Sequence, residues 1–301
     1  MTNLARDRRS YQTLVTLAAR LAVALVVLML VTKILVWWHS PSASLLGSTL
    51  DSGFDLLASI TNLLIVRWSL QPPDKEHRFG HGKAENMAAV IQSVIISISA
   101  ILLITFGWQR MLNPIEIAHT SWGIGVSIVA IVCTLALVRF QHYVIEQTGS
   151  VAISADQLHY KSDLFLNIAV IMALAFYQLD WRFMDGLMAI VIGVYLIYGA
   201  LTLIYTSVQQ LLDHQLPESE LTRIDNVILN CDGVLGYHQL KTRRAGQHRF
   251  IQFHLEIDQQ LSLLQAHEIS DKVQAALEAE FTDCQVIIHQ DPVVSQSRDN
   301  H

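Results

Sequence analysis

Long apolar runs broken by short polar connections fill the chain up to about Leu212, whereas beyond Pro217 charges are spread throughout and apolar positions alternate. A helix needs about 20 residues to span the hydrocarbon core of a bilayer. Six stretches reach that length, at 12–38, 45–70, 85–111, 121–146, 152–178 and 184–211. The pattern predicts a membrane α-helical bundle of six transmembrane helices over 12–212, preceded by a cytoplasmic N-terminal tail at 1–11. The second and fifth stretches are the least apolar, as expected of helices that line a polar centre. The first follows Arg6, Arg8 and Arg9 but is too long for the apolar region of a signal peptide, so it reads as a retained helix.

The remainder predicts a small two-layer α+β domain over 213–291, of metallochaperone or ferredoxin-like type, with the order αββαβ. Its elements are a helix at Glu218–Asn230, strands at Tyr237–Arg243 and His248–Ile257 joined around Ala245-Gly246, a helix at Ser262–Phe281, and a last strand at Asp283–Gln290. Ser262-x-x-Gln265 is a capping-box pattern that opens the second of these helices. Residues 292–301, polar and charged, read as disordered.

Lysine and arginine set the expected orientation. Arg67, Lys75, Arg78, Lys83 and Arg139 lie on the same side as the N-terminal arginines, and mainly Arg110 and Arg182 on the other. Both termini are therefore expected in the cytoplasm. Trp37, Trp38, Trp108, Trp122 and Trp181 fall near span ends, as interfacial tryptophans do. A net charge of −6 with no basic stripe excludes nucleic acid as a partner. Cys133, Cys231 and Cys284 are far apart and form no CxxC, which fits a reducing compartment without disulfides or a thiolate zinc site.

Asp51 and Asp55 in the second span, and His159 and Asp163 in the fifth, are each spaced i, i+4. On a helix each pair projects from one face, a turn apart. A charged residue at the bilayer centre costs roughly 2.5–3.5 kcal/mol on insertion scales, so four of them call for a function. Three carboxylates and one imidazole suit a divalent cation, and the imidazole tilts the set towards zinc, cadmium or iron(II). Asp156, a turn before His159, could serve as a spare acceptor near the mouth of the site but reads rather as a cap or a solvated helix end. Because ligation needs deprotonated carboxylates and a neutral imidazole, metal binding and proton release are linked. His159 and at least one aspartate are expected to carry counter-protons.

The second connection places Asp74, His77 and His81 at i, i+3, i+7, a spacing compatible either with one bound ion or with a solvated loop. The tail carries His238, His254, His267, His289 and Asp291, with His254 on the outward strand face opposite Phe253, Leu255 and Ile257. Those residues are compatible with a metal site and equally with ordinary solvated histidines.

The paired motifs, Asp51-x-x-x-Asp55 and His159-x-x-x-Asp163, resemble the transport-site signature of the cation diffusion facilitator family, and the likeness extends over nearly the whole chain. The resemblance implies a homodimeric zinc/proton antiporter in the bacterial inner membrane, exporting cytoplasmic metal by alternating access. It implies zinc and cadmium as cargo, to which the ligand chemistry adds iron(II), zinc also as a structural ion, and no organic cofactor. It further implies a second zinc site at Asp74, His77 and His81, and a charge pair between Lys83 and Asp213 that holds the third and sixth helices together. In the tail it implies a binuclear zinc site: His238 and His254 on one ion, His267 and His289 on the other, Asp291 bridging, and a backbone carbonyl from Gln290. That site is expected to tie two tails together. An intramembrane metalloprotease fits less well, since the chain has no HExxH and a four-ligand site leaves no position for an activated water. A membrane-bound sensor has no use for four ligands at transport depth.

Overall fold

The computed structural model describes residues 2–39, 43–113, 121–178, 181, 183–281 and 283–293. Its elements are α1 (Thr2–His39), α2 (Ala43–Ser69), α3 (Ala84–Leu112), α4 (Ser121–Thr148), α5 (Val151–Gln178), α6 (Met184–Leu211), α7 (Glu218–Leu229), β1 (Gly236–Ala245), β2 (His248–Asp258), α8 (Leu263–Glu280) and β3 (Cys284–Val293). They divide into two compact units, Tyr11–Val208 and a second made of Met1–Ser10 with Gln209–His301.

Helices α1–α6 form the membrane domain. Among the described residues, four segments are both long and apolar enough to cross a bilayer: Ser10–Trp38, Ala84–Leu112, Ile128–Thr148 and Met184–Leu211. Helices α2 and α5 are of comparable length, at 27 and 28 residues, and carry the ionisable pairs. Helix α1 begins at Thr2, so the stretch expected as a tail is helical. Residues 2–9 contain neither glycine nor proline, and nothing in them stops the helix where the apolar run ends. The side chains of Asp51 and Trp122, and all of Arg182, lie outside the described residues.

Two devices position the helices. Helices α3 and α6 approach backbone to backbone where side chains are absent: a Cβ on Gly186 would lie 2.4 Å from the Gly107 carbonyl oxygen and 2.6 Å from the Met111 nitrogen. A Cβ on Gly193 would lie 2.5 Å from Ile104 Cγ1. Small residues at helix contacts are the usual means of packing in lipid, where burial of apolar surface gives no drive. The second device is Glu85, in the first turn of α3 and 2% exposed. Its carboxylate accepts from Tyr11 Oη at 3.1 Å, from the Ser150 hydroxyl, and from the Ala152 backbone N–H at 3.4 Å. Ser150 Oγ in turn accepts from the Ile153 N–H at 3.2 Å. The orphan donors at the start of α5 are thus capped partly by a carboxylate from another helix.

The tail unit is a three-stranded sheet of order β1-β2-β3 covered on one face by α7 and α8. Strand β1 runs antiparallel to β2 (His238↔His254, Ala245↔His248), turning at Gly246, whose φ is 59°. Strand β3 runs parallel to β2 (His254↔His289), which requires the crossover that α8 supplies. Alternation along β2 buries Ile251, Phe253, Leu255 and Ile257 against Ile224, Ile228, Val273 and Leu277. It leaves His254 and Glu256 on the helix-free face. The predicted capping box is present: Ser262 N donates to Gln265 Oε1 at 2.9 Å, and Gln265 N to Ser262 Oγ at 3.4 Å. Strand β3 reaches Val293, past the expected start of a disordered tail at 292, because Pro292 and Val293 still pair with Ile257 and Asp258. Residues 294–301 lie outside the described residues.

Two predictions follow from this packing. Gly186→Ala pushes α3 and α6 apart or strains them, at a cost of about 1–3 kcal/mol. The detergent-solubilised protein should therefore unfold several degrees lower in a thermal scan, and an unchanged midpoint would contradict the close approach. In the tail, Arg249 grips Glu220 through Nε–Oε2 at 2.8 Å and Nη2–Oε1 at 3.1 Å. Burial raises the Glu220 carboxyl, but Arg249, together with the charges of Arg244 and Arg223, outweighs burial and holds it below its ordinary value. The stabilisation is then fully present above the unfolded carboxyl's pKa and lost as pH falls through the lowered folded value. Glu220→Gln should weaken the tail against urea at pH 7, scored by limited proteolysis of the full chain. The difference from native should disappear in strong acid.

Candidate metal centres

Three groups of ligand atoms among the described residues each lie within 4.8 Å of one another: Asp55, His159 and Asp163; Asp74, His77 and His81; and His238, His254 and Asp291.

The first spans α2 and α5. His159 Nε2 lies 3.2 Å from Asp55 Oδ1 and 3.8 Å from Asp163 Oδ2. That nitrogen is buried and lies beside both carboxylates, a set of three donors that can hold a divalent cation. Asp51 sits one turn before Asp55 on α2. Tyr160, next to His159, sets the helix spacing: its hydroxyl pairs with Ser59 Oγ of α2 at 2.7 Å and reaches the Ala22 carbonyl of α1 at 3.4 Å. Asn167 Nδ2 donates to the Asp163 carbonyl at 2.7 Å. Asp156 is neither a cap nor a solvated end. It is 2% exposed within α5 and accepts from Gln141 Nε2 of α4 at 2.7 Å. A second clasp follows, Gln157 Nε2 to the Val138 carbonyl at 2.9 Å.

The second group closes the loop between α2 and α3. Asp74 accepts the backbone N–H groups of Glu76 at 2.9 Å and His77 at 2.6 Å, an Asx turn that folds the segment back on itself. The His77 N–H holds the Asp74 carboxyl below its usual range against the opposing effect of burial, so the group is an anion at neutral pH. His81 Nε2 lies 3.4 Å from Asp74 Oδ2, and His77 Nδ1 3.5 Å from Oδ1. The two imidazole centroids are 4.6 Å apart, with the Trp68 ring 5.4 Å from His81. Only His81 is buried, and its Nδ1 satisfies no hydrogen bond.

The third group lies on the helix-free face of the tail sheet, brought together by register. Asp291 Oδ2 lies 2.9 Å from His254 Nδ1 and 3.1 Å from His238 Nε2. Its other oxygen, Oδ1, lies 3.2 Å from His289 Nε2. A hydrogen bond from His254 holds the Asp291 carboxyl below its ordinary range. Two imidazoles on one carboxylate oxygen and a third on the other is a donor set that fits zinc. His267 stands apart: its Nε2 lies 3.6 Å from Asp271 of its own helix α8. Gln290, on the opposite strand face, turns its amide to Ser270 Oγ at 2.8 Å. Lys83 immediately precedes α3, and Asp213 belongs to the tail unit, where it accepts from Arg243 Nη1 at 3.2 Å.

Residues 19–212 match the cation efflux transmembrane domain, and residues 216–293 the cytoplasmic domain of cation efflux proteins. Curated relatives include the cation-efflux pump FieF of Pectobacterium atrosepticum, 49% identical over 286 residues and covering 94% of each chain. The FieF of Yersinia pestis strain Pestoides F is 47% identical over 293 residues, covering 97% of this chain and 98% of its own. Two solved structures of CzrB also show a likeness. Its zinc form is 33% identical, over 29% of this chain and 99% of that one, with a TM-score of 0.26; the other is 35% identical, over 26% and 98%, with a TM-score of 0.25. The chain belongs to the cation efflux, or cation diffusion facilitator, family. It is a multi-pass membrane transporter that exports metal cations.

The Tyr160–Ser59 bond carries a prediction for the first group. Tyr160→Phe leaves a buried hydroxyl without its partner, a loss of about 1 kcal/mol, or about fivefold in an equilibrium constant. The metal concentration for half-maximal flux should rise about fivefold at equal expression. An unchanged value would separate the bond from the ligand geometry.

Proposed function

We propose that the chain is a zinc/proton antiporter that exports metal from the cytoplasm by alternating access through a four-ligand site of Asp51, Asp55, His159 and Asp163. The observation that carries the reading is the convergence of Asp55 and His159, from separate helices, with Asp163 beside them. The mixed imidazole and carboxylate set favours zinc, with cadmium and iron(II) as further cargo. Coupling follows from ligand chemistry. The imidazole must be neutral and the carboxylates ionised to bind metal, so the empty site takes up protons where the loaded site releases metal. His159 and at least one aspartate carry those protons.

The remaining assignments support the same reading. The loop trio Asp74, His77 and His81 forms a second metal site. The tail centre is binuclear, with His238 and His254 on one zinc ion, His267 and His289 on the other and Asp291 bridging, and it stabilises a homodimer through the cytoplasmic domains. The protein sits in a bacterial inner membrane with both termini in the cytoplasm.

Sealed proteoliposomes with an imposed proton gradient test the central reading. Zinc should accumulate against its own gradient in the native protein and stay at background in Asp163→Ala. Zinc movement unaffected by collapsing the proton gradient would contradict antiport, and flux retained in Asp163→Ala would contradict the site.

A further inference from the structure

Glu256 lies on the same outward face of β2 as His254 and belongs to none of the three ligand groups. Its Oε1 is 2.9 Å from His238 Nδ1. An ionised carboxylate only accepts, so Nδ1 is the donor in that bond. In a neutral imidazole the lone pair then falls on Nε2, the atom that faces Asp291 Oδ2 at 3.1 Å. Two electron-pair donors meet there, and a cation between them resolves the conflict. A carboxylate behind a ligating histidine fixes both the tautomer and the ring orientation.

The backbone is shaped for this contact. Gly236 pairs directly with Glu256 across the ladder, and a Cβ at Gly236 would come within 2.5 Å of Glu256 Oε2. The absent side chain leaves the space the carboxylate occupies. Just beyond His238 the ladder slips before Lys241, with Gln239 at φ 52°. Such a bulge re-aims neighbouring side chains, here turning His238 diagonally towards Glu256.

We propose that Glu256 is the positioning residue of the tail metal centre: by holding His238 Nδ1–H, it aims the Nε2 lone pair at an ion shared with His254 and Asp291. This inference rests on the reading of that centre as a metal site.

The test uses the full chain in detergent, buffered free Zn2+ as the only ligand, and hydrogen exchange of residues 248–258 as a local readout. Native protein should show slowed exchange with a midpoint in free zinc. Glu256→Ala should move that midpoint about 10–100-fold higher, with the metal-free exchange pattern unchanged. Gly236→Ala, which displaces only the carboxylate, should do the same. Glu256→Gln, whose amide oxygen still accepts from Nδ1–H, should stay within about threefold of native, a rescue that a general need for bulk at this position does not predict. If Glu256→Ala fails to fold, Gly236→Ala decides. A midpoint within about threefold of native in Gly236→Ala, or in a folded Glu256→Ala, overturns the inference provided His238→Ala shifts it. If His238→Ala leaves zinc protection untouched, the tail metal reading falls instead.

Discussion

Ionisable side chains in an apolar bundle must satisfy one another or bind something that satisfies them. At the α2–α5 boundary two carboxylates face an imidazole nitrogen that has no hydrogen bond. Polar contacts around them tie α5 to its neighbours. Tyr160 and Ser59 fix α5 against α2 one residue from His159. Gln141 and Gln157 clasp α4 to α5 on the other side. Glu85 secures the start of α5 from α3. Polar bonds of this kind set helix register in lipid, where apolar contacts alone are nearly neutral to sliding.

The tail builds a similar donor set by different means. In the membrane, i, i+4 spacing on one helix places ligands on a common face, and a second helix completes the set. In the tail, strand alternation and pairing register do the same: His254 lies opposite His238 on one side and His289 on the other. Strand β2 buries Ile251, Phe253, Leu255 and Ile257, so a one-residue slip would bury the histidines and expose Phe253 and Leu255. The register that stabilises the tail therefore also keeps His238, His254 and His289 together.

Periodicity made much of this legible in the sequence. The long apolar runs gave the helices, and charged pairs inside two of them singled out α2 and α5. Alternation with punctuating Gly246 gave the β1–β2 hairpin. Ends were less legible: Thr2–Arg9 and Pro292–Val293 carry no apolar pattern, and only chain continuity and strand pairing determine their state. Asp156 was misread because spacing cannot distinguish a solvated carboxylate from one clasped by Gln141 of another helix. Glu85 was missed because its partners, Tyr11 and Ser150, are distant in sequence. Glu256 had a local signal, His254-x-Glu256 on one strand face, but its partner His238 is defined only by register. His267, grouped with the tail centre by resemblance alone, lies on α8 near Asp271 and has no strand register to place it.

The central claim is that α2 and α5 jointly hold one metal ion in a closed set of three carboxylates and one imidazole. Optical spectroscopy of Co2+, with the other two centres silenced by His81→Ala and Asp291→Ala, tests it most directly. The account predicts the intense visible bands of tetrahedral cobalt, lost on adding either Asp55→Ala or His159→Ala. Weak octahedral bands, or tetrahedral bands that survive both substitutions, would contradict it.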